Sequence, residues 1–194
     1  GSSGKGGGIF VSGANSEVTL LGTANVIGNT TDHEGGGIFV DTGSVLNMKG
    51  SAIVTPSTGG DANAPRKNDV YLMDGCTIKL SETLSGAVPV ARITPATYNT
   101  TTQVLTGGAV GTEHDKFTVT PKSLGGGSTQ VWTINNTGHL QKPPVTINGA
   151  DSDAWKTLKA AVAAADDGDV FAINGEVKAT SAGGNSGEIE VKKN

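Results

Sequence analysis

Along the first third of this chain, apolar and polar residues alternate in short bursts. Ile38-Phe39-Val40 sets Ile38 and Val40 on one side with Phe39 between them, and Leu46-Asn47-Met48 repeats the arrangement. Val70-Tyr71-Leu72 and Ile78-Lys79-Leu80 follow the same rule. A period of two predicts β-strands, and no helical period fits these bursts. Gly43 and Gly75, between the bursts, mark turns. The bursts also recur. Gly6-Gly7-Gly8-Ile9-Phe10-Val11 returns 29 positions later as Gly35-Gly36-Gly37-Ile38-Phe39-Val40, and Asp69-Val70-Tyr71-Leu72 is a looser third copy. In the first copy the apolar positions are Ile9, Val11, Val18, Leu20 and Val26. An extra residue in its first turn, Ala14-Asn15-Ser16, shifts the later half, so that Val18 aligns with Leu46, Leu20 with Met48, Gly22 with Gly50 and Val26 with Val54.

Each repeat therefore holds about three short strands separated by Gly, Asn, Ser and Thr turns. One such repeat cannot bury its inward row of side chains. Stacking repeats pairs each strand with its equivalents about 4.8 Å above and below. The predicted fold class is all-β: a right-handed parallel β-helix, or solenoid, with one short amphipathic capping α-helix near the C-terminus. The expected inward ladders are Ile9–Ile38–Val70, Val11–Val40–Leu72, Val18–Leu46–Ile78 and Leu20–Met48–Leu80. Thr19, Leu21, Phe39, Asn47, Tyr71 and Lys79 are expected on the exposed outer face. A β-sandwich or propeller carrying a coincidental duplication is the competing reading, although propeller blades need about 40 residues.

The repeat rhythm divides the chain into residues 1–86, the β-helix coils, then 87–142, then 143–194. Within the first part, Thr55 to Asn68 is a long polar turn with Pro56 and Pro65, expected to be a solvated loop. After Ala87, strands are expected at Val88–Ile93, Gln103–Leu105, Phe117–Thr120 and Gln130–Ile134, with turns at Thr94-Pro95-Ala96 and Gly125-Gly126-Gly127. This middle part is either an irregular continuation of the stack or a small antiparallel β module that covers an exposed end. Gln141-Lys142-Pro143-Pro144 reads as a linker, and Val145–Gly149 as a strand and turn. Ser152 is the N-cap candidate of the only expected helix, Ala154 to about Asp166, with Asp153 at the positive end of its dipole. Trp155, Leu158, Val162 and Ala165 form its expected apolar face, and Gly168 ends it. Strands are expected at Val170–Ile173, Glu176–Ala179 and Ile189–Val191.

Two resemblances attach to these residues. Gly6-Gly7-Gly8-Ile9, followed by Val26-Ile27-Gly28-Asn29, resembles the repeat of polymorphic outer-membrane and adhesin-type bacterial β-helix proteins, over about 80 residues. Val26 stands where that family has Phe, and the second copy lacks the Asn. The resemblance implies a bacterial surface or secreted protein rather than an enzyme. Trp155, Leu158, Ala161-Val162, Asp167-Gly168-Asp169-Val170, Ile173 and Gly175 resemble the N-terminal cap of pectate-lyase-like β-helix proteins, in which an amphipathic helix plugs the start of the solenoid. Here that element lies in the C-terminal part of the sequence.

Composition narrows the picture further. The chain has 194 residues with 30 glycines, only 4% aromatic and 16% charged residues, as expected of a turn-rich all-β protein with a slim core. A net charge of −4 and no basic patch argue against nucleic acid and acidic membranes. Cys76 is the only cysteine, so there is no internal disulfide, and its alignment with Ser44 predicts a small residue beside a turn. No apolar run approaches the length of a membrane span. The chain shows no signal peptide and does not begin with Met, so it is expected to be a mature or excised part of something longer.

Candidate chemistry is sparse. Asp32-His33-Glu34 and Glu113-His114-Asp115 pair acids with histidine, but neither has a zinc-ligand spacing, and both are expected to be solvated turns. Asp166, Asp167 and Asp169 are better explained by helix termination than by half a calcium loop. No pair of acids falls on neighbouring rungs of one face, aromatic platforms for sugar are scarce, and the glycine triplets lack the Lys-Ser or Lys-Thr of a phosphate loop. No catalytic, cofactor-binding or metal-binding residue is assigned, and no cofactor is expected. The expected function is a non-enzymatic structural or adhesive segment of a bacterial extracellular or cell-surface protein. Its expected partners are other copies of itself, by head-to-tail β-stacking into a longer solenoid or filament, and surface glycans or host proteins; nucleic acid and membrane insertion are not expected. The alternative is a carbohydrate-active β-helix enzyme (a polysaccharide lyase or hydrolase) or a glycan-binding module.

Overall fold

The structure is a computed structural model describing residues 4–56, 68–125, 128–150, 152–163, 165 and 169–179. It divides into two units, residues 1–141 and 142–194. Among the described residues the fold is all-β with two α-helices.

The first repeat contributes β1 (Ile9–Val11), β2 (Glu17–Leu20) and β3 (Asn25–Val26), and the second contributes β4 (Ile38–Val40), β5 (Val45–Gly50) and β6 (Ile53–Val54). The third contributes β7 (Val70–Leu72) and β8 (Ile78–Leu84), followed by β9 (Ala91–Pro95) and β10 (Leu105–Thr106). After the short helix α1 (Val110–Glu113) and a 3-10 turn at His114–Lys116 comes β11 (Phe117–Val119). Equivalent strands pair in parallel: one sheet runs β1-β4-β7-β9-β11, a second β10-β8-β5-β2, and β3 pairs with β6. The register is the one the repeat alignment predicts. Ile9 faces Ile38 and Ile38 faces Val70. Val18 faces Leu46, Leu20 faces Met48, and these continue to Ile78 and Leu80. The inward members Ile38, Val40, Leu46, Met48, Val70, Ile78 and Leu80 are all fully buried and belong to one core.

The glycine triplet has two separate duties. Gly35 turns the chain with φ +71°, where a Cβ would sit 2.7 Å from Ile38 O. Gly37 lies flat against the next repeat, and a Cβ there would meet Asp69 O at 2.8 Å.

The outer face departs from expectation. Phe39 and Asn47 point outward yet are 1% and 3% exposed. Phe39 is covered by Phe10 at 5.5 Å between ring centroids, by Tyr71 at 5.0 Å, and by the Lys5 ammonium 4.9 Å from its ring centre. Asn47 is covered from β2, donating to the Glu17 carboxylate and to Oγ1 of Thr19, its partner in register. An outward aromatic stacked between two others behaves as core, so Phe39→Ala should cost about 3 kcal/mol, whereas Thr19→Ala, at an exposed outward position, should stay within about 0.5 kcal/mol. Urea unfolding of the two variants checks this.

The middle region holds both parallel and antiparallel strands. Strands β9, β10 and β11 continue the parallel sheets. Strands β12 (Lys122–Gly125) and β13 (Ser128–Gln130), then β14 (Thr133–Ile134) and β15 (Leu140–Gln141), form antiparallel pairs. Thr94 and Pro95 are not a turn but the end of β9, where Pro95 faces Leu72. Residues 126 and 127 of the expected glycine turn, and most of the Thr55–Asn68 turn, lie outside the described residues.

In the second unit, β16 (Val145–Asn148) pairs in parallel with β17 (Phe171–Asn174), linked by α2 (Ala154–Ala163). Ala154 and Leu158 of α2 are buried with Ile147, and Ala161, Val162 and Val177 pack against them. The buried stripe is therefore set by Ala154 and Leu158, while Trp155 is only half-buried and Ala165 is exposed. Glu176–Ala179 is not a strand. Helix α2 is also not the only helix: α1 precedes it. The expected ends of α2 at Asp166 and Gly168, and the expected strand Ile189–Val191, lie outside the described residues. Lys142 Nζ and Asp169 Oδ1 form an ion pair at 2.6 Å within this unit.

Candidate functional site

The outward column on the five-stranded sheet reads Phe10, Phe39, Tyr71, Thr94, and then Thr120 just beyond β11. Tyr71 faces Thr94 in register, and the Thr94 and Thr120 hydroxyls meet at 2.6 Å. Aromatic rings thus pack side by side across three strands, tilted between Phe10 and Phe39 and stacked between Phe39 and Tyr71, and then give way to two small residues. A pocket of about 340 Å³ opens at that change. Tyr71, Tyr98, Thr94, Thr120 and Pro121 line it. The polar rest of its lining, here its rim, is Glu34, from the turn before β4, with Lys122, Ser123 and Thr129 from the β12–β13 pair; Ser123 and Thr129 are exposed.

Both tyrosines are held in place. Tyr71 stacks on Phe39 with 12° between the ring planes. Tyr98 donates its hydroxyl to Thr120 O at 2.8 Å and packs against Trp132 at 6.0 Å. Burial pushes both phenols above their ordinary pKa, and nearby carboxylates reinforce the shift.

Behind the threonine floor lies Asp69, which is fully buried. Gly36 N–H donates to its Oδ1 at 3.0 Å and Thr94 Oγ1 donates to its Oδ2 at 2.6 Å. Burial pushes the carboxyl up to about 7, against the opposing pull of Thr94, Arg92 and the Gly36 amide. Arg92, 4% exposed, is also buried, and its Nε and Nη2 have no hydrogen-bond acceptor among the described residues. Asn68, next to Asp69, ties together turns of different repeats. Its Nδ2 donates to Val26 O at 2.8 Å and Thr55 O at 2.6 Å, while its Oδ1 accepts from Asn29 Nδ2 at 3.2 Å.

The acid–histidine clusters are placed separately. Asp32 and His33 are exposed and Glu34 is half-buried at the pocket rim. Glu113 corrects the expectation of a solvated turn: it is 3% exposed, accepting from Leu84 N–H at 2.7 Å and pairing with Lys116 Nζ at 2.8 Å. Burial pushes its carboxyl up, but Lys116 and the Leu84 amide outweigh that and hold it below the ordinary value. His114 and Asp115 lie on the 3-10 turn. Cys76 is buried and its thiol donates to Asp41 O at 3.2 Å, much as Ser44 donates to Gly13 O at 3.2 Å one repeat earlier. Among the described residues, no three His, Cys, Asp or Glu side chains are grouped to hold a metal ion.

Aromatic residues are scarce in the sequence, which hides that Tyr71 and Tyr98 line one pocket. The only signal for it was the replacement of an aromatic by Thr94 in the same column. Compared with protein-family models, characterised proteins and solved structures, this chain matches none.

Proposed function

We propose that this chain is a non-enzymatic structural and adhesive segment of an extracellular or cell-surface protein, built as a parallel β-helix whose copies stack head to tail. The observation that carries this reading is the placing of the sheet edges. Among the described residues, strands β1 and β2 are outermost in their sheets, β3 pairs only with β6, and all three belong to the first repeat. Among the described residues, that repeat therefore presents a whole cross-section of parallel edge with no further strand on it. Ile9 N–H donates to Gly37 O at 2.9 Å and Val11 O accepts from Asp41 N–H at 2.8 Å. The alternation of a parallel ladder then turns the Phe10 N–H and C=O away from β4.

The second unit supplies an edge of the same kind. Among the described residues β17 pairs only with β16, and Ile173, 53% exposed, lies in register with buried Ile147. A contact between β17 of one copy and β1 of the next would extend both sheets. Because it joins unlike surfaces, it would propagate rather than close.

Sedimentation at rising protein concentration tests the reading. The wild type should grow in size with concentration. Phe10→Pro removes the donor on the open side of β1 and should remain monomeric, while Phe10→Ala, which keeps the N–H, should still associate. A wild type that stays monomeric at every concentration would end the stacking proposal. The non-enzymatic half of the reading has its own test. Release of unsaturated or reducing ends from pectin, alginate or chitin oligomers would refute that half.

A further inference from the structure

We infer that the pocket between Tyr71 and Tyr98 is a binding site for a neutral sugar ring, seated as the next member of the aromatic stack. This rests on the adhesive half of the function proposed above and supplies its ligand class.

Neighbouring strands lie about 4.8 Å apart, which is also the separation at which rings stack, and Tyr71 and Phe39 use it at 5.0 Å and 12°. Phe39 covers one face of Tyr71. On the other side the register places Thr94, which is too small to cover the second face. The space left there is the pocket. Its volume of about 340 Å³ lies at the small end of ligand sites. A ring of sugar size fills it, whereas a folded peptide segment does not.

The chemistry of the lining selects among small rings. The interior is aromatic and aliphatic, from Tyr71, Tyr98 and Pro121. The threonine hydroxyls at its base are already engaged with each other and with Asp69. Free hydrogen-bonding capacity is concentrated at the rim, in Glu34, Lys122, Ser123 and Thr129. A pyranose has the matching division, with C–H groups across its faces and hydroxyls around its edge. The rim holds one carboxylate and one ammonium, so it offers both acceptors and donors without favouring either sign of charge. A polyanion would meet Glu34 with no excess of positive charge to offset it. Both aromatic walls are fixed before a ligand arrives, Tyr71 by Phe39 and Tyr98 by Thr120 O and Trp132. Little ordering therefore opposes binding.

The test is titration calorimetry of the full chain with a panel of neutral oligosaccharides, namely β-glucan, xylan, mannan and chitin fragments, with a heparin fragment as the polyanion. At least one neutral oligosaccharide should bind and heparin should not. Tyr71→Ala should weaken binding at least about tenfold, while Tyr71→Phe, which keeps the ring, should stay within about threefold. Lys122→Ala together with Ser123→Ala changes only the rim and should weaken binding without lowering the melting temperature. This pair keeps the test sound if Tyr71→Ala unfolds. Failure of every neutral sugar to bind, tighter binding of heparin, or unchanged binding in the rim double variant would each overturn the assignment. Sedimentation is read separately: a monomer that binds sugar would refute stacking and leave this site standing, and a filament that binds none would do the reverse.

Discussion

Replacing Val40 with aspartate should abolish the fold of the first unit. Val40 is fully buried and lies in register between Val11 and Leu72, with no polar partner in that ladder. A carboxylate there would either stay charged without a partner or take up a proton in apolar surroundings, and either costs several kcal/mol. A domain's whole stability is about 5–15 kcal/mol, and the inward row here is only a few side chains wide, so the loss should exceed what the unit can absorb. Lys79→Glu is the matching control. Lys79 is one residue from buried Ile78 and Leu80 but faces out and is exposed, and its reversal should change stability by no more than about 0.5 kcal/mol. Circular dichroism melting should show no cooperative transition for Val40→Asp and a near wild-type one for Lys79→Glu. Equal tolerance at the two positions would refute the inward and outward assignment.

Asp69→Asn should stabilise the protein at pH 8 and leave it nearly unchanged at pH 4. The folded-state pKa of Asp69 is raised from 3.8 to about 7, mainly by burial. Between those values the native state holds a proton that the unfolded chain has released, so stability falls as pH rises. The contribution is fully present below about pH 4 and lost once pH passes about 7. The shift corresponds to about 4 kcal/mol. Asparagine imitates the protonated acid: its Oδ1 can still accept from Gly36 N–H, and its Nδ2 can turn toward Thr94 Oγ1. The stability difference between variant and wild type should therefore grow from near zero at pH 4 to about 4 kcal/mol at pH 8, or roughly 10 °C in Tm. A difference that is flat across that range would show that Asp69 titrates at its ordinary value. The wild type should in consequence be loosest at alkaline pH around the glycine triplet, because Gly36 and Gly37 rest directly on Asp69.

How much of this was legible in the sequence follows from what a periodic pattern can encode. Two identical words, Ile9-Phe10-Val11 and Ile38-Phe39-Val40, can pair in parallel with like facing like in only one register, and a one-residue slip would turn every apolar side chain to the wrong face. The strands of the repeats, their partners and the buried ladders were therefore determined by the sequence itself. So was α2, through the apolar spacing of Leu158 and Val162. A period of two states which side a residue faces. It does not state what lies over that side. Phe39, Asp69 and Glu113 are polar-face or turn positions by pattern, and all three are buried because residues remote in sequence pack on them. The antiparallel pair β14–β15 is two residues long on each side, too short for alternation to register. The Tyr71–Tyr98 pocket arises from the same cause. Its walls lie on different strands and loops, and they meet only because Thr94 interrupts the aromatic column and β12–β13 supplies the rim. Local pattern decided the ladders, because each rung repeats its neighbour. Only the tertiary structure decided the covered outer face and the pocket, because they depend on where non-repeating segments come to rest.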